Sequence, residues 1–206
     1  MKNLIKIKGD ASFRKFFRKQ KKNFTSIVVF SEKEKFKNLL IYDAINKILI
    51  KNKILAPNLY KENYRKNYIE IEDFGNETIF KRLNKNKNNR LSYFKKAVKL
   101  LNKIQLIKIK KIKNFKNNYY KIPKYDKNIL IKEANLFCDW YAKKYLNKLR
   151  KDNFSKDFKK ILKNLTNNLK LKNNFFVHRD FHVSNLMLVN NRIGVIDSQD
   201  AMIGNR

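Results

Sequence analysis

The residues best equipped for chemistry stand together late in this 206-residue chain. They read His178-Arg179-Asp180-Phe181-His182-Val183-Ser184-Asn185, and Asp197 follows after two short apolar runs. Moving a phosphoryl group onto a hydroxyl asks for little covalent help from a protein. It asks for a carboxylate beside the acceptor hydroxyl and for oxygen ligands on the Mg²⁺ that accompanies the phosphates. Asp180 suits the first task. Asn185, at the far end of the same loop, and Asp197 suit the second, because Mg²⁺ prefers hard oxygen donors. A lone His-x-Asp occurs often by chance. His-x-Asp-x-x-x-x-Asn, followed by a strand that ends on Asp, is far more specific. His178 and His182 are expected to brace the loop by hydrogen bonds, since the chain has no third histidine and no cysteine nearby to complete a metal site.

The elements that must hold these groups can be read from the surrounding pattern. Phe175–Val177, Leu186–Val189 and Ile193–Ile196 are short apolar runs that predict strands. Asn190-Asn191 predicts a two-residue hairpin turn, which would return Asp197 to the side of Asn185. Upstream, Ser12–Arg18 and Ser26–Phe30 predict two strands joined by the polar turn Gln20–Asn23. Phe36, Leu39, Leu40, Ala44 and Ile48 recur at helical spacing over 33–52, and 67–72 alternates as a strand does. Gly75 breaks that strand. Beyond it, helices are predicted at about 77–83, 91–108, 128–149 and 155–171, the last carrying Phe158, Ile161, Leu162 and Leu165 on one stripe. Phe137 and Trp140 are expected in the helical core, and Lys108–Asp126 reads as a basic connection. Strands, a helix, strands, then helices with a small hairpin predict an α+β chain of two lobes, residues 1–75 and 76–206.

Composition removes several classes. Hydrophobic residues at 43% and aromatics at 13% exclude wholesale disorder, and 4 Gly with 2 Pro exclude collagen-like or Pro/Gly-rich chains. The single cysteine, Cys138, cannot form an internal disulfide, which suits a reducing compartment. No apolar run of 18 residues and no signal-like start are present, so a cytoplasmic protein with no membrane partner is expected. The formal charge of +33 raises a basic nucleic-acid-binding protein as a rival reading. Lysine rises together with Ile and with about 30 Asn, however, and the lysines spread over the whole chain. Codon bias explains that pattern, and selection for phosphate contacts does not. No specific nucleic-acid partner is expected.

The chain resembles the kinase-like aminoglycoside phosphotransferase superfamily, which includes choline kinases. Its nearest resemblance is to bacterial sugar kinases acting at the anomeric position of N-acetylmuramate and N-acetylglucosamine in cell-wall recycling. Four segments carry the likeness: residues 9–18, Gly-Asp-Ala-Ser-Phe-Arg-Lys-Phe-Phe-Arg; Ile71-Glu72-Asp73-Phe74-Gly75; residues 133–141, Glu-Ala-Asn-Leu-Phe-Cys-Asp-Trp-Tyr; and His178 to Asn185 with residues 196–201. The resemblance implies a bilobal protein-kinase-like fold, a small antiparallel β lobe for the nucleotide and a mostly helical lobe for the loop. It implies an enzyme using ATP and Mg²⁺, a small-molecule acceptor such as an amino sugar, and a monomer. Asp10, Ala11, Ser12 and Phe13 would form the turn over the ATP phosphates. Glu72, Asp73 and Phe74 would form the hinge that meets adenine, with Gln199 and Asp200 near the acceptor.

Two departures stand out. Kinases usually carry a lysine in the third strand, paired with a glutamate on the next helix. Here Ile27-Val28-Val29-Phe30 has no lysine. Arg14, Lys21 and Lys22 are the candidate substitutes, with Asp43 or Glu34 as the helix acid. The family also continues with further helices after the position of Gly204-Asn205-Arg206, so the chain reads as a fragment or a truncated product. The remaining rivals are a kinase for an aminoglycoside or choline, and a catalytically inactive kinase-like binding protein.

Overall fold

The computed structural model describes residues 4–7, 14–22, 24–32, 37–85 and 88–205. Two compact units emerge, one of Met1–Ile122 with Phe176–Ala201, the other of Pro123–Phe175 with Met202–Arg206. These units are not the lobes expected at 1–75 and 76–206: the first holds the N-terminal sheet together with residues 176–201, which include the loop from His178 to Asn185.

The first unit is built on a five-stranded antiparallel sheet of β1 (Leu4–Ile7), β2 (Arg14–Gln20), β3 (Thr25–Ser31), β4 (Leu59–Asn63) and β5 (Tyr68–Glu72). The strand order is β1-β2-β3-β5-β4. Register places Ile27 opposite Ile71 and Val29 opposite Ile69, so the alternation of these strands puts their β-branched residues on one face. Helix α1 (Asn38–Lys51) covers that face. Leu39 and Tyr42 pack against Ile27, Val29, Ile69 and Ile71, with Phe16, Leu59 and Phe115 around them. The helix is buried on nearly every side, which is why its apolar residues outnumber one stripe.

On the other face of the sheet, Glu70 is buried, and Lys19, Lys21 and Ser26 close over it with bonds of 3.0, 2.6 and 2.8 Å. These bonds outweigh the burial that opposes ionisation and hold the carboxyl at about 2. The unit continues through α2 (Ile79–Lys85), α3 (Arg90–Gln105) and a small hairpin of β6 (Lys111–Lys113) and β7 (Tyr119–Lys121). That hairpin lies inside the segment expected to be a plain connection. The edge strands β1 and β4 were not predicted either. Leu59–Asn63 is polar along most of its length, and an edge strand has one side free of the pattern that marks a core strand.

The second unit contains α4 (Lys127–Leu136), a π-helical turn over Phe137–Ala142, α5 (Lys143–Tyr145) and α6 (Lys148–Asn168). The helices expected at 128–149 and 155–171 are therefore divided at Leu146-Asn147. Asn147 caps α6, its side chain accepting from the Arg150 N–H at 3.0 Å. Phe137 and Trp140 are not in a core: they are 45% and 77% exposed. Small residues, Cys138 and Ala142, take the buried side of this turn, and Trp140 lies midway between them on the opposite side. Phe137 instead stacks on Tyr141 at 5.1 Å and meets Phe154 and Phe158. Strand β8 (Phe175–Val177) leads the chain into the first unit, where β9 (Leu186–Val189) and β10 (Arg192–Val195) form the expected hairpin. Asn190 and Asn191 take φ of 47° and 60°, the pair of positive values that a type I′ turn requires. A short strand β11 (Met202–Gly204) belongs to the second unit. Among the described residues no helix is long and apolar enough to cross a membrane.

Candidate active site

The loop after β8 is fixed by its own backbone. The Asp180 carbonyl accepts from the His182 N–H at 3.0 Å, and the His182 carbonyl from the Asn185 N–H at 2.9 Å. The Asn185 side chain adds to this. Its Nδ2 meets the Asp180 carbonyl at 3.1 Å and His182 Nε2 at 3.1 Å, which leaves Oδ1 as the atom able to meet a cation. The Ile196 N–H donates to the Asn185 carbonyl at 3.1 Å, and this bond brings the end of the hairpin, and so Asp197, back to the loop. Asp180 itself is exposed. His178 is buried, and burial pushes its imidazole below the usual range against the pull of Asp180 and Asp197. The expected hydrogen-bonded brace is not what the structure shows: among the described residues neither ring nitrogen of His178 has a partner at hydrogen-bond geometry, and the ring is held by burial and an edge-on contact with Phe181 at 6.1 Å. Arg179 and Asp197 hold φ of 72° and 59°, a left-handed conformation that costs a non-glycine residue about 1 kcal/mol or more and persists where surrounding structure dictates it.

Asp197 and Asn185 face a cleft of about 890 Å³ within the first unit. Its wall includes Ile196, Gln199 and Asp200 beside them, Arg14, Phe16 and Arg18 from β2, and Glu72 through Asn76 after β5. Gln199 Nε2 bridges two carboxylates, Asp197 Oδ1 at 3.0 Å and Asp200 Oδ2 at 2.9 Å. Behind them, the buried Ser198 hydroxyl donates to Asn46 Oδ1 at 2.7 Å, and Asn46 donates to the Pro57 carbonyl, so α1 is tied to the residue after Asp197. A carboxylate at Asp197 and an amide oxygen at Asn185 make a donor set of hard oxygens, which fits Mg²⁺ and does not fit a soft metal.

The segment expected to form the hinge is held firmly. Arg18 forms a fork on Asp73, Nε to Oδ2 at 2.6 Å and Nη2 to Oδ1 at 2.9 Å, and also reaches Asn76 Oδ1 and the Gly75 carbonyl. The Asp73 carboxyl lies below its usual range: burial opposes ionisation, but Arg18, Thr25 and the Gly75 N–H outweigh it. Gly75 has φ of 79°, open to glycine and costly for other residues, so the strand turns here. Glu72 points its Oε2 at Asn58, at 2.6 Å from Nδ2. Phe74 is buried, and its ring lies over Gly194, where a Cβ would stand 2.7 Å from Phe74 Cε2 and force the ring to shift.

Of the residues expected at the site, the structure brings Asn185, Asp197, Glu72 and Phe74 to one cleft, with Asp180 on the loop that carries Asn185. Asp10, Ala11, Ser12 and Phe13 lie outside the described residues, as does Glu34. Among the candidate cations, Lys21 is engaged by Glu70, Lys22 is exposed, and Arg14 Nη2 reaches Asp197 Oδ1 at 3.0 Å. Asp43 pairs with Lys47 at 2.8 Å on its own helix. Sequence reasoning missed Arg18, Tyr42 and the Asn46–Ser198 bond. The first had a signal: in a strand, residues two and four apart share a face, so Arg14, Phe16 and Arg18 had to point the same way.

An antiparallel sheet over one buried helix, followed by a loop and hairpin that present Asn and Asp to the cleft, is the arrangement of the kinase-like phosphotransferase fold. Solved structures of similar fold agree. The chain aligns with the streptomycin–ATP–APH(2")-IIa ternary complex at a TM-score of 0.65 and 15% identity, covering 100% of this chain and 68% of that one. It aligns with ADP-bound APH(2'')-Ib at 0.63 and 16%, covering 100% and 69%. The pattern of the phosphotransferase enzyme family matches residues 3–206, and the chain belongs to that family. Among curated relatives, the N-acetylmuramate/N-acetylglucosamine kinase of Pseudomonas aeruginosa is 27% identical over 201 residues, and that of Neisseria meningitidis 26% over 196. These matches cover 98% and 95% of this chain, which spans 56% of the length of each relative.

Proposed function

We propose that this chain carries the nucleotide cleft and catalytic loop of an ATP- and Mg²⁺-dependent phosphotransferase whose acceptor is a hydroxyl of a small molecule. The observation that carries the reading is the Ile196–Asn185 backbone bond, which joins the two ends of the predicted motif at one cleft. In this reading Asp180 orients the acceptor hydroxyl and takes its proton, while Asn185 Oδ1 and the Asp197 carboxylate hold Mg²⁺. The ion, when bound, neutralises charge on the phosphates. Glu72 and Phe74 bound the adenine end, and Asp10, Ala11, Ser12 and Phe13 cover the phosphates. An amino sugar of the N-acetylmuramate or N-acetylglucosamine type is the acceptor that the curated relatives favour. A monomer in the cytoplasm, without a specific nucleic-acid partner, completes the reading.

Two substitutions separate the roles. Asp180→Asn should leave Mg·ATP affinity within about twofold and reduce phosphorylation of N-acetylmuramate by a factor of 100 or more, the scale of general-base catalysis. Asp197→Asn should weaken Mg·ATP binding itself, because the cation exchanges a carboxylate for a neutral amide. Isothermal titration and a coupled ADP assay read both. Equal Mg·ATP affinity for Asp197→Asn and the unaltered chain would remove Asp197 from the metal.

A further inference from the structure

We infer that Arg14 is the phosphate-binding cation of this cleft, standing in for the strand lysine of other kinases, and that the Tyr42 ring of α1 helps to hold it there. The inference rests on the reading of the cleft as a nucleotide site. Three cations line the cleft among the described residues: Arg14, Arg18 and Lys81. Arg18 reaches Asp73, Gly75 and Asn76, and Lys81 reaches the Asn76 carbonyl, so both serve the hinge end. Arg14 lies at the other end, with Nη2 on Asp197 Oδ1. Its side chain is 9% exposed and sits over two rings, 5.7 Å from the Phe16 centroid and 6.0 Å from that of Tyr42. Ring faces packed against the guanidinium help fix its direction beside the Asp197 carboxylate.

Three features of the chemistry point to phosphate. A guanidinium is planar and carries five N–H donors, so it can hold a carboxylate and a phosphate at once, where a lysine offers a point charge. The carboxylate it already touches is the one assigned to the metal, and the phosphates of a bound nucleotide belong beside that metal. The packing against α1 gives the third feature. Asp43 is bonded to Lys47, and the α1 residue that does face Arg14 is Tyr42, a buried phenol that burial pushes up to about 12 and that stays neutral. Tyr42 is itself linked through Asn46 to Ser198, the residue after Asp197. Helix α1 is thus coupled to the phosphate end by an Arg–ring contact and a buried Asn–Ser bond.

The test compares ligands that differ only in phosphate. The 206-residue chain, Arg14→Met, Tyr42→Phe and Tyr42→Leu are titrated with Mg²⁺ plus a non-hydrolysable ATP analogue, and separately with adenosine. Arg14→Met should lose about 10- to 100-fold in affinity for the analogue, the scale of charge-assisted hydrogen bonds, and keep its adenosine affinity within about twofold. Tyr42→Phe, which keeps the ring, should retain more of the analogue affinity than Tyr42→Leu, which should lose several-fold. Parallel losses for adenosine and the analogue would make Arg14 a purely structural residue and overturn the inference. So would full analogue affinity in Arg14→Met while the unaltered chain binds normally. Failure of the unaltered chain to bind either ligand would overturn the nucleotide reading and this inference with it.

Discussion

Removing Arg18 should strand a buried charge. Asp73 has a side chain only 3% exposed and depends on the Arg18 fork at 2.6 and 2.9 Å. Deleting one partner of a buried ion pair costs about 3–5 kcal/mol, because the remaining charge keeps its desolvation penalty. Asp73 would still accept from the Gly75 N–H at 2.8 Å and from Thr25, which places the cost of Arg18→Met near about 3 kcal/mol. At about 2–4 °C per kcal/mol for a chain of this size, the melting temperature should fall by about 6–12 °C. The cost should also depend on pH with a definite sign. With Arg18 present, the folded-state carboxyl is depressed, so its contribution is complete above the unfolded value of 3.8 and is lost as pH falls from there through the lower folded value. Without Arg18, burial raises the carboxyl, and protonation relieves the stranded charge, so the gap between variant and parent narrows from pH 7 toward pH 4. Urea unfolding followed by circular dichroism at both pH values measures this. The single tryptophan, Trp140, belongs to the other unit and is too exposed to report on it. Adding Asp73→Asn to Arg18→Met should recover part of the loss at pH 7. A cost under about 1 kcal/mol, or one that does not change with pH, would refute the reasoning.

Two further outcomes follow from the same unit. A Cβ at residue 194 would stand 2.7 Å from Phe74 Cε2 and 3.0 Å from Cδ2, so Gly194→Ala should cost about 1–3 kcal/mol in urea unfolding. It should weaken adenosine and the ATP analogue alike by displacing the Phe74 ring, whereas Arg14→Met should weaken the analogue alone. Glu70, held at about 2 against 4.5 in the unfolded chain, should supply about 3 kcal/mol at pH 7 that disappears as pH falls from about 5 to 2. Glu70→Gln should be less stable at pH 7 and should flatten that acid limb, which unfolding curves across the range will show.

The loop chemistry was legible because it is local. His178 to Asn185 lie within one stretch, Asn190-Asn191 fixes the hairpin by its own backbone preference, and the alternation of Ile69 and Ile71 marks a strand without reference to the rest of the chain. Motif spacing and strand period are properties of neighbouring residues, so the sequence alone determined the α+β class, the return of Asp197 to Asn185 and the break at Gly75. What it left open depended on contacts across the chain. Arg14, Lys21 and Lys22 are equivalent as cations in sequence, and only the packed sheet assigns Lys21 to Glu70 and Arg14 to Asp197, a partner 183 residues away. Edge strand β4 and the β6–β7 hairpin carry too little apolar patterning to announce themselves, and β1, though apolar at Leu4, Ile5 and Ile7, is only four residues long. Trp140 shows the same limit from the other side. Its apolar bulk suggested a core, but the local helix turns Cys138 and Ala142 inward, and a residue's direction is set by the phase of its helix, which one side chain does not encode.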